Sequence, residues 1–334
     1  GDIITLTITA NEAVTALVCT IDAEATTMGG SGTSWTSTLT LSGDETEGNT
    51  VFSCASFIDA AGNAGATDTS ATSGSVNIDR TVPTLAIVMA SNNADTSKAK
   101  SGDNIVLTIT ASEAVTALVC TIDGEATTMG GSGTGWTSTL TLSGDETEQS
   151  TVFSCASHID AAGNAGATDT SATSGAVTVD LTLPTLTIAM ASNNGQAATQ
   201  ATTGNNIVLT ITASESVTLL VCTIDDEATT MGGSGTSWTS TLTLDGDETA
   251  GDTAFSCASF KDATGNVGTT DTSATSGSVN IDYAVPTLAI VMASNNGQAA
   301  TQATTGNNIV LTITPNEAVT ALVCTIDGEA TTMG

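Results

Sequence analysis

Positive charge is nearly missing from this sequence. Lys and Arg together number 4, at Arg80, Lys98, Lys100 and Lys261, against 35 Asp and Glu, for a formal net charge of -31 over 334 residues. A basic surface for nucleic acid or anionic lipid is thereby excluded. Cations are the natural counterpart of such a chain. Repulsion among its carboxylates is tolerable where salt shortens the Debye length to roughly 3 Å near 1 M, or where divalent ions sit among them. A marine, saline or calcium-rich setting is expected.

Aromatic residues are only 3% of the chain, so many small cores are expected in place of one large one. The longest apolar runs, such as TLAIVMA at 84–90, fall far short of the ~20 residues of a membrane-spanning helix. No leader series precedes the chain at Gly1, which decides nothing about export. Asn-x-Ser/Thr is absent, which excludes N-glycosylation at that motif in this segment. Cys-x-x-Cys and mixed Cys/His spacings are absent too, and structural zinc with them.

What is present is repetition. Cysteines stand at 19, 54, 120, 155, 222, 257 and 324, and the fourteen residues ALVCTIDGEATTMG at 117–130 recur unchanged at 321–334. Cys19 and Cys54, Cys120 and Cys155, and Cys222 and Cys257 are each 35 apart, and the first members recur every 101 or 102 residues. Pro83, Pro184 and Pro286 keep the same period. A period of about 100 residues is too long for a solenoid and suits tandem copies of one small domain.

Within a unit the apolar residues alternate. Ile4, Leu6 and Ile8 alternate with Thr5, Thr7 and Thr9; Leu17, Cys19 and Ile21 share a side; Trp35, Leu39 and Leu41 face in; Phe52 pairs with Cys54 and Val76 with Ile78. Period-2 runs of this kind are half-buried strands. GGSG at 29–32, SGDETEG at 42–48 and DAAGN at 59–63 read as the turns between them. Seven or so short strands in ~100 residues give an all-β chain of tandem immunoglobulin-like β-sandwiches in a rod-like array. Only Arg80, Thr81 and Val82 precede Pro83. So short a linker is expected to hold successive units at a nearly constant angle, each adding roughly 40 Å.

The unit DRTVPTLAIVMASNNADTSKAKSGDNIVLTITASEAV, followed by GWTSTLTLSGDETEQSTVFS and DAAGNAG, resembles the bacterial Ig-like repeats of giant extracellular adhesins and related marine and algal surface proteins. The resemblance covers essentially the whole chain. The third junction, DYAVP, departs from the D-x-T-x-P pattern, and the cysteine pair stands where aliphatic core residues are usual. On this alignment 1–82 is a repeat lacking strand A, 83–183 and 184–285 are complete, and 286–334 holds strands A to C. Cys324 then has its partner beyond the last residue, and the chain reads as a window on a longer array. Donation of the trailing strand A to the leading unit of another chain is the alternative.

Cys19 and Cys54 fall on core faces of strands that neighbour each other in one sheet. A bridge closing such a loop contributes about 3.8 kcal/mol in the chain-entropy picture and implies secretion. Two buried thiols are the other reading. Acidic residues gather in loops, and hard cations take six to eight oxygens from such groups. The D-x-x-G-N pairs Asp59 and Asn63, Asp160 and Asn164, and Asp262 and Asn266 are calcium candidates or simple turns. The resemblance implies calcium at domain junctions, which here means Asp79, Asp180 and Asp282. The SGDETEG run reads as a solvated turn.

Catalysis finds little support. His158 is the only histidine, and its counterparts are Phe57 and Phe260, so no histidine triad can recur. The outward threonine ladders suit ordinary β-propensity, with O-linked glycan as the alternative. The expected function is structural: a repeat segment of a long extracellular filament or surface fibre whose partners are copies of itself. The alternative is a calcium-stiffened stalk of a cell-surface adhesin, meeting a receptor through other domains.

Overall fold

The computed structural model describes residues 1–333; Gly334, the last residue of the expected 286–334 segment, lies outside them. Every regular element among the described residues is a β-strand. The chain divides into two compact units, Gly1–Leu181 and Thr182–Gly334.

The repeat at 83–183, in the first unit, shows the architecture in full. Asn104–Val115 is the centre of an antiparallel sheet between Leu85–Ser91 and Thr128–Thr141. Ile109 stands opposite both Ile87 and Trp136, and Leu107 opposite Met89 and Ser138. A second antiparallel sheet places Val119–Ile122 between Glu125–Ala126 and Phe153–Ala156. Period-2 alternation explains which side is buried: Ile105, Leu107 and Ile109 point inward, while Thr108 and Thr110 point to solvent. The inward residues of both sheets meet in one cluster that includes Ile87, Leu107, Ile122, Phe153, Val177 and Val179. This is an immunoglobulin-like sandwich, and the second unit repeats it with strands Leu186–Ser192, Asn206–Val217, Thr230–Thr243, Val221–Ile224 and Phe255–Ala258.

The cysteine pairs are directly opposed on neighbouring strands: Cys19 faces Cys54, Cys120 faces Cys155 and Cys222 faces Cys257. All three pairs are disulfide-bonded and buried, with Cα atoms 4.1 Å apart. Cys324 is free and half-buried.

The expected GGSG turn is there, within the extended segment Thr27–Thr40, and its copies lie within Thr128–Thr141 and Thr230–Thr243. The two arms lie side by side, Ser138 Oγ–H donating to Thr127 Oγ1 at 2.7 Å, and glycine supplies the positive φ between them, 94° at Gly131 and 64° at Gly133. A Cβ on Gly131 would sit 2.3 Å from Gly135 O, so the chain folds back on itself there. The strand expected at 75–79 shrinks to Asn77–Ile78.

The same strand sequence is buried in one copy and exposed in another. LAIVMAS at 85–91 pairs with Asn104–Val115 and buries Ile87 completely, whereas the same seven residues at 288–294 pair only with Ile309–Pro315 and leave Ile290 53% exposed. In the leading repeat Ile3–Val14 pairs only with Thr27–Thr40, and Val76 is 45% exposed where its counterpart Val177 is fully buried.

His158 occupies an aromatic site. It is 1% exposed, and neither ring nitrogen has a hydrogen-bond partner. A Cβ on Gly166 would lie 1.8 Å from its Nε2, as a Cβ on Gly268 would lie 1.9 Å from Cε2 of Phe260. Each ring is therefore seated on the bare backbone of a glycine. Buried polar atoms without partners are destabilising by about 1–3 kcal/mol, and the phenyl ring already fits the identical seat. His158→Phe should raise the stability of its repeat by about that amount in urea unfolding, while Gly268→Ala should lower that of its repeat by about 1–3 kcal/mol through overpacking.

A candidate cation centre between the first two repeats

The D-x-x-G-N hairpins are closed by their own acids. Asp160 is 5% exposed. Its Oδ1 accepts the backbone N–H groups of Ala162, Gly163 and Asn164 at 2.9, 2.7 and 2.8 Å, and its Oδ2 accepts Asn164 Nδ2–H at 2.8 Å. Burial works against the charged carboxylate, but the donors of Asn164, Gly163 and Ala162 outweigh it and hold the group below the ordinary aspartate range. Asp262 and Asn266 repeat the arrangement, and Asp59 with Asn63 keeps most of it in a more exposed loop. The turn chemistry thus accounts for these residues as pairs, in line with the usual role of Asp and Asn in tight loops.

Asp160 also has company from outside its hairpin. One carboxylate oxygen each of Asp79, Glu113 and Asp160 lie within 4.8 Å of one another. Asp79 ends the first repeat; there its Oδ1 accepts Thr81 N–H at 3.0 Å and its carbonyl oxygen accepts Asn164 Nδ2–H at 3.0 Å. Glu113 comes from the end of Asn104–Val115, where the register shifts between Thr110 and Val115 and turns the strand out of the sheet. Its Oε1 is buried without a hydrogen-bond donor. Burial raises the Glu113 carboxyl above its ordinary range, and the charges of Asp79 and Asp160 raise it further.

The structure therefore brings together two of the residues expected from sequence, Asp79 and Asp160, and adds Glu113. The signal for Glu113 was present in the sequence: glutamate recurs at the same place in every repeat, as Glu12, Glu113, Glu215 and Glu317. Asp180 and Asp282 have the same strand-end position as Asp79, their N–H groups donating to Ala99 O and Ala201 O at 2.9 Å. Asp282 Oδ1 accepts Ala284 N–H at 2.8 Å.

The S-G-D-E-T-E run is exposed along most of its length, as its charge suggested, with Glu45 as the exception. Glu45 is 5% exposed and folds back over its own turn, accepting Ser42 N–H at 2.7 Å and Gly43 N–H at 3.0 Å. Those donors, led by Ser42 N–H, pull the carboxyl down to about 2. Glu146 and Glu248 sit likewise. The residue that follows the junction aspartate closes over this turn in each repeat, Arg80 in part through a backbone N–H that donates to Glu47 Oε1 at 3.1 Å. Arg80 donates to Gly43 O and Glu45 O, Leu181 N–H donates to Glu148 Oε1 at 2.8 Å, and Tyr283 Oη–H donates to Glu248 Oε2 at 2.5 Å. Asp245 and Asp247 crowd the third of these turns, and the Asp247 carboxyl is raised by its contact with Asp245.

No family model matches the chain, and no curated protein matches it. Among solved structures, the chain is similar to a three-domain I-band fragment of titin, at 10% identity over 84% of this chain and 93% of that one, with a TM-score of 0.35. It is also similar to a glucan-utilisation protein of Bacteroides ovatus, SGBP-B, in complex with a mixed-linkage heptasaccharide, at 13% identity over 86% of this chain and 64% of that one, with a TM-score of 0.19. The fold assignment rests on the strand order described above.

Carboxyls held below their ordinary values dominate: Glu45, Asp59, Asp95, Glu146, Asp160 and Glu248. Their stabilisation is present above the unfolded-state pKa, near 4.5 for glutamate, and is lost as pH falls through the lower folded values. The melting temperature, followed by circular dichroism, should therefore fall steadily from about pH 5 to pH 2. Glu113 has the opposite sign: its contribution is present in the protonated form and lost as pH rises through its raised pKa. Glu113→Gln should in consequence raise the melting temperature at pH 7 in metal-free buffer and change nothing at pH 3.

Proposed function

We propose that this chain is a non-catalytic, structural repeat segment of a long extracellular filament or surface fibre. The observation that carries this reading is the recurrence of one disulfide-locked sandwich at a nearly constant period. Identical surfaces at one spacing can make identical lateral contacts, which is the condition for regular assembly from copies of the same chain. Three buried bridges suit an oxidising compartment and thus an extracellular location. The single histidine is sealed in a core with nothing to act on, which supports a non-catalytic role.

The cluster at Asp79, Glu113 and Asp160 favours a second reading, the calcium-stiffened stalk of a cell-surface adhesin. Its donors are all oxygens, one of them a buried carboxylate oxygen that lacks a donor, and this fits a hard cation. Calcium there would relieve the repulsion that raises Glu113 and would tie the end of the first repeat to two elements of the second. Such a stalk holds other domains away from the cell and binds nothing itself. O-linked glycan on the outward threonines would be compatible with either reading.

Negative-stain microscopy of the protein with and without millimolar calcium tests the first reading. Regular fibres are expected, and single separate chains under both conditions would overturn it. Calcium at about a hundred times its Kd should raise the melting temperature of the repeat it joins by roughly 10 °C. Glu113→Gln should blunt that rise. A melting temperature indifferent to both calcium and chelator would remove the metal from the account.

A further inference from the structure

Only two asparagines of the chain stand before glycine, Asn194 and Asn296, in the identical segments SNNGQAATQATTGNN at 192–206 and 294–308. The first of these segments leaves the strand Leu186–Ser192 and returns to Asn206–Val217. Its amides are used in different ways. Asn193 Oδ1 accepts Asn206 N–H at 2.7 Å and Asn205 Oδ1 accepts Thr202 N–H at 2.9 Å, so both of these side chains close the loop. Asn194 turns instead toward the residues that follow it. Its N–H donates to Oγ of the buried Ser192 at 2.9 Å, and its Oδ1 accepts Gln196 N–H at 3.0 Å. Gly195 and Gln196 are exposed. Asn296 repeats both contacts, with Ser294 Oγ at 3.3 Å and Gln298 N–H at 3.0 Å.

An asparagine in such a turn folds its side-chain carbonyl back over the peptide that follows it. A bond from the Gly195 nitrogen to Cγ of Asn194 closes a five-membered ring. Glycine favours that closure, because without a Cβ its backbone can swing the nitrogen toward Cγ. Gln196 N–H already donates to Oδ1, the atom on which negative charge gathers as Cγ becomes tetrahedral. The step balances without an oxidant or a reductant. Gly195 N gives its proton to water and bonds to Cγ; the Cγ–Nδ2 bond breaks, and ammonia leaves with a proton taken up from water. A second water then opens the ring, at Cγ to give aspartate or at the main-chain carbonyl to give isoaspartate. In sum one water is consumed and one ammonia released.

We propose that Asn194 and Asn296 are sites of spontaneous deamidation, by which two neutral loops acquire one negative charge each. The proposal stands independently of the fibre and stalk readings. The repeat at 83–183 supplies an internal comparison. There Asn93 makes the same turn, accepting Asp95 N–H at 3.3 Å, but Ala94 follows it and its Nδ2–H donates to Asp103 Oδ2 at 2.8 Å. Loss of that amide would break a charge-assisted hydrogen bond and set two carboxylates face to face. The loop of Asn93 also carries its own acids, Asp95 and Asp103, whereas 192–206 and 294–308 contain none. Deamidation thus brings to those loops the acidity that 91–104 has from its sequence.

Incubation of the folded 334-residue chain in mildly alkaline buffer, followed by mass spectrometry of its peptides, tests the assignment. Peptides long enough to carry Thr187 or Ala289 tell the two copies apart. Asn194 and Asn296 should each gain about 1 Da as NH2 is exchanged for OH. Ammonia should appear in the same molar amount, and isoelectric focusing should resolve species that differ by one negative charge. Aspartate and isoaspartate should both form at these positions, the latter labelled by an isoaspartyl methyltransferase, while Asn93 keeps its mass. A Cβ on Gly195 or Gly297 would meet nothing within 4 Å. Gly195→Ala and Gly297→Ala should therefore leave the melting temperature unchanged and lose the mass gain, each at its own site. A gain at Asn93 equal to that at Asn194 would overturn the proposal whatever the variants do. So would a gain seen only after unfolding in urea, or aspartate formed without isoaspartate.

Discussion

Directly opposed cysteines on neighbouring strands are the constraint around which each sandwich is organised. The bond between Cys120 and Cys155 leaves Val119–Ile122 and Phe153–Ala156 no freedom to slip. A slip of one residue would turn every side chain of a strand to the wrong face. With that register held, Ile122 and Phe153 fall inward beside the bridge and meet Ile87, Leu107 and Ile109 from the other sheet. A core with so few aromatics has little apolar area to spare, and a covalent tie that limits the unfolded chain is an economical supplement to it.

Charge is handled by the same division between faces and ends. Sheet faces are threonine, serine and small apolar residues, and the carboxylates sit at the ends of strands and in the turns. There many are not left to water. Glu45, Glu146, Asp160 and Asp262 each gather the backbone donors of a tight loop. The acidity that looks like a solvation device is to a considerable extent the internal hydrogen bonding of the loops. Where three carboxylates converge, at Asp79, Glu113 and Asp160, it is Glu113 Oε1 that is buried without a donor.

Much of this was legible in the residues. Alternation of Ile, Leu and Val with Thr identified the strands and their inward faces, a local consequence of a period of two, and the constant cysteine spacing pointed to the bridges that the opposed strands close. Two features were not. Glu45 looked solvated because charge runs usually are, and nothing in the letters says that a side chain will turn back on its own backbone. Glu113 was passed over because its neighbours in space are 34 and 47 residues away in sequence. Only the bulge at the end of its strand brings it to the junction.

The spacing of the bridges bears on how so repetitive a chain reaches its fold. Each copy offers nearly the same strands as its neighbours, so a cysteine has chemically equivalent partners in other copies. Cys54 lies 35 residues from Cys19 and 66 from Cys120. Loop closure alone favours the nearer partner by only about 0.6 kcal/mol, too little to keep the copies apart. The choice is made by the fold: strand pairing sets Cys54 directly opposite Cys19, with their Cα atoms 4.1 Å apart, a place that no cysteine of another copy shares. Near-identity between neighbours is thus a hazard for the unfolded chain, and each sandwich that closes removes one pair of cysteines from it.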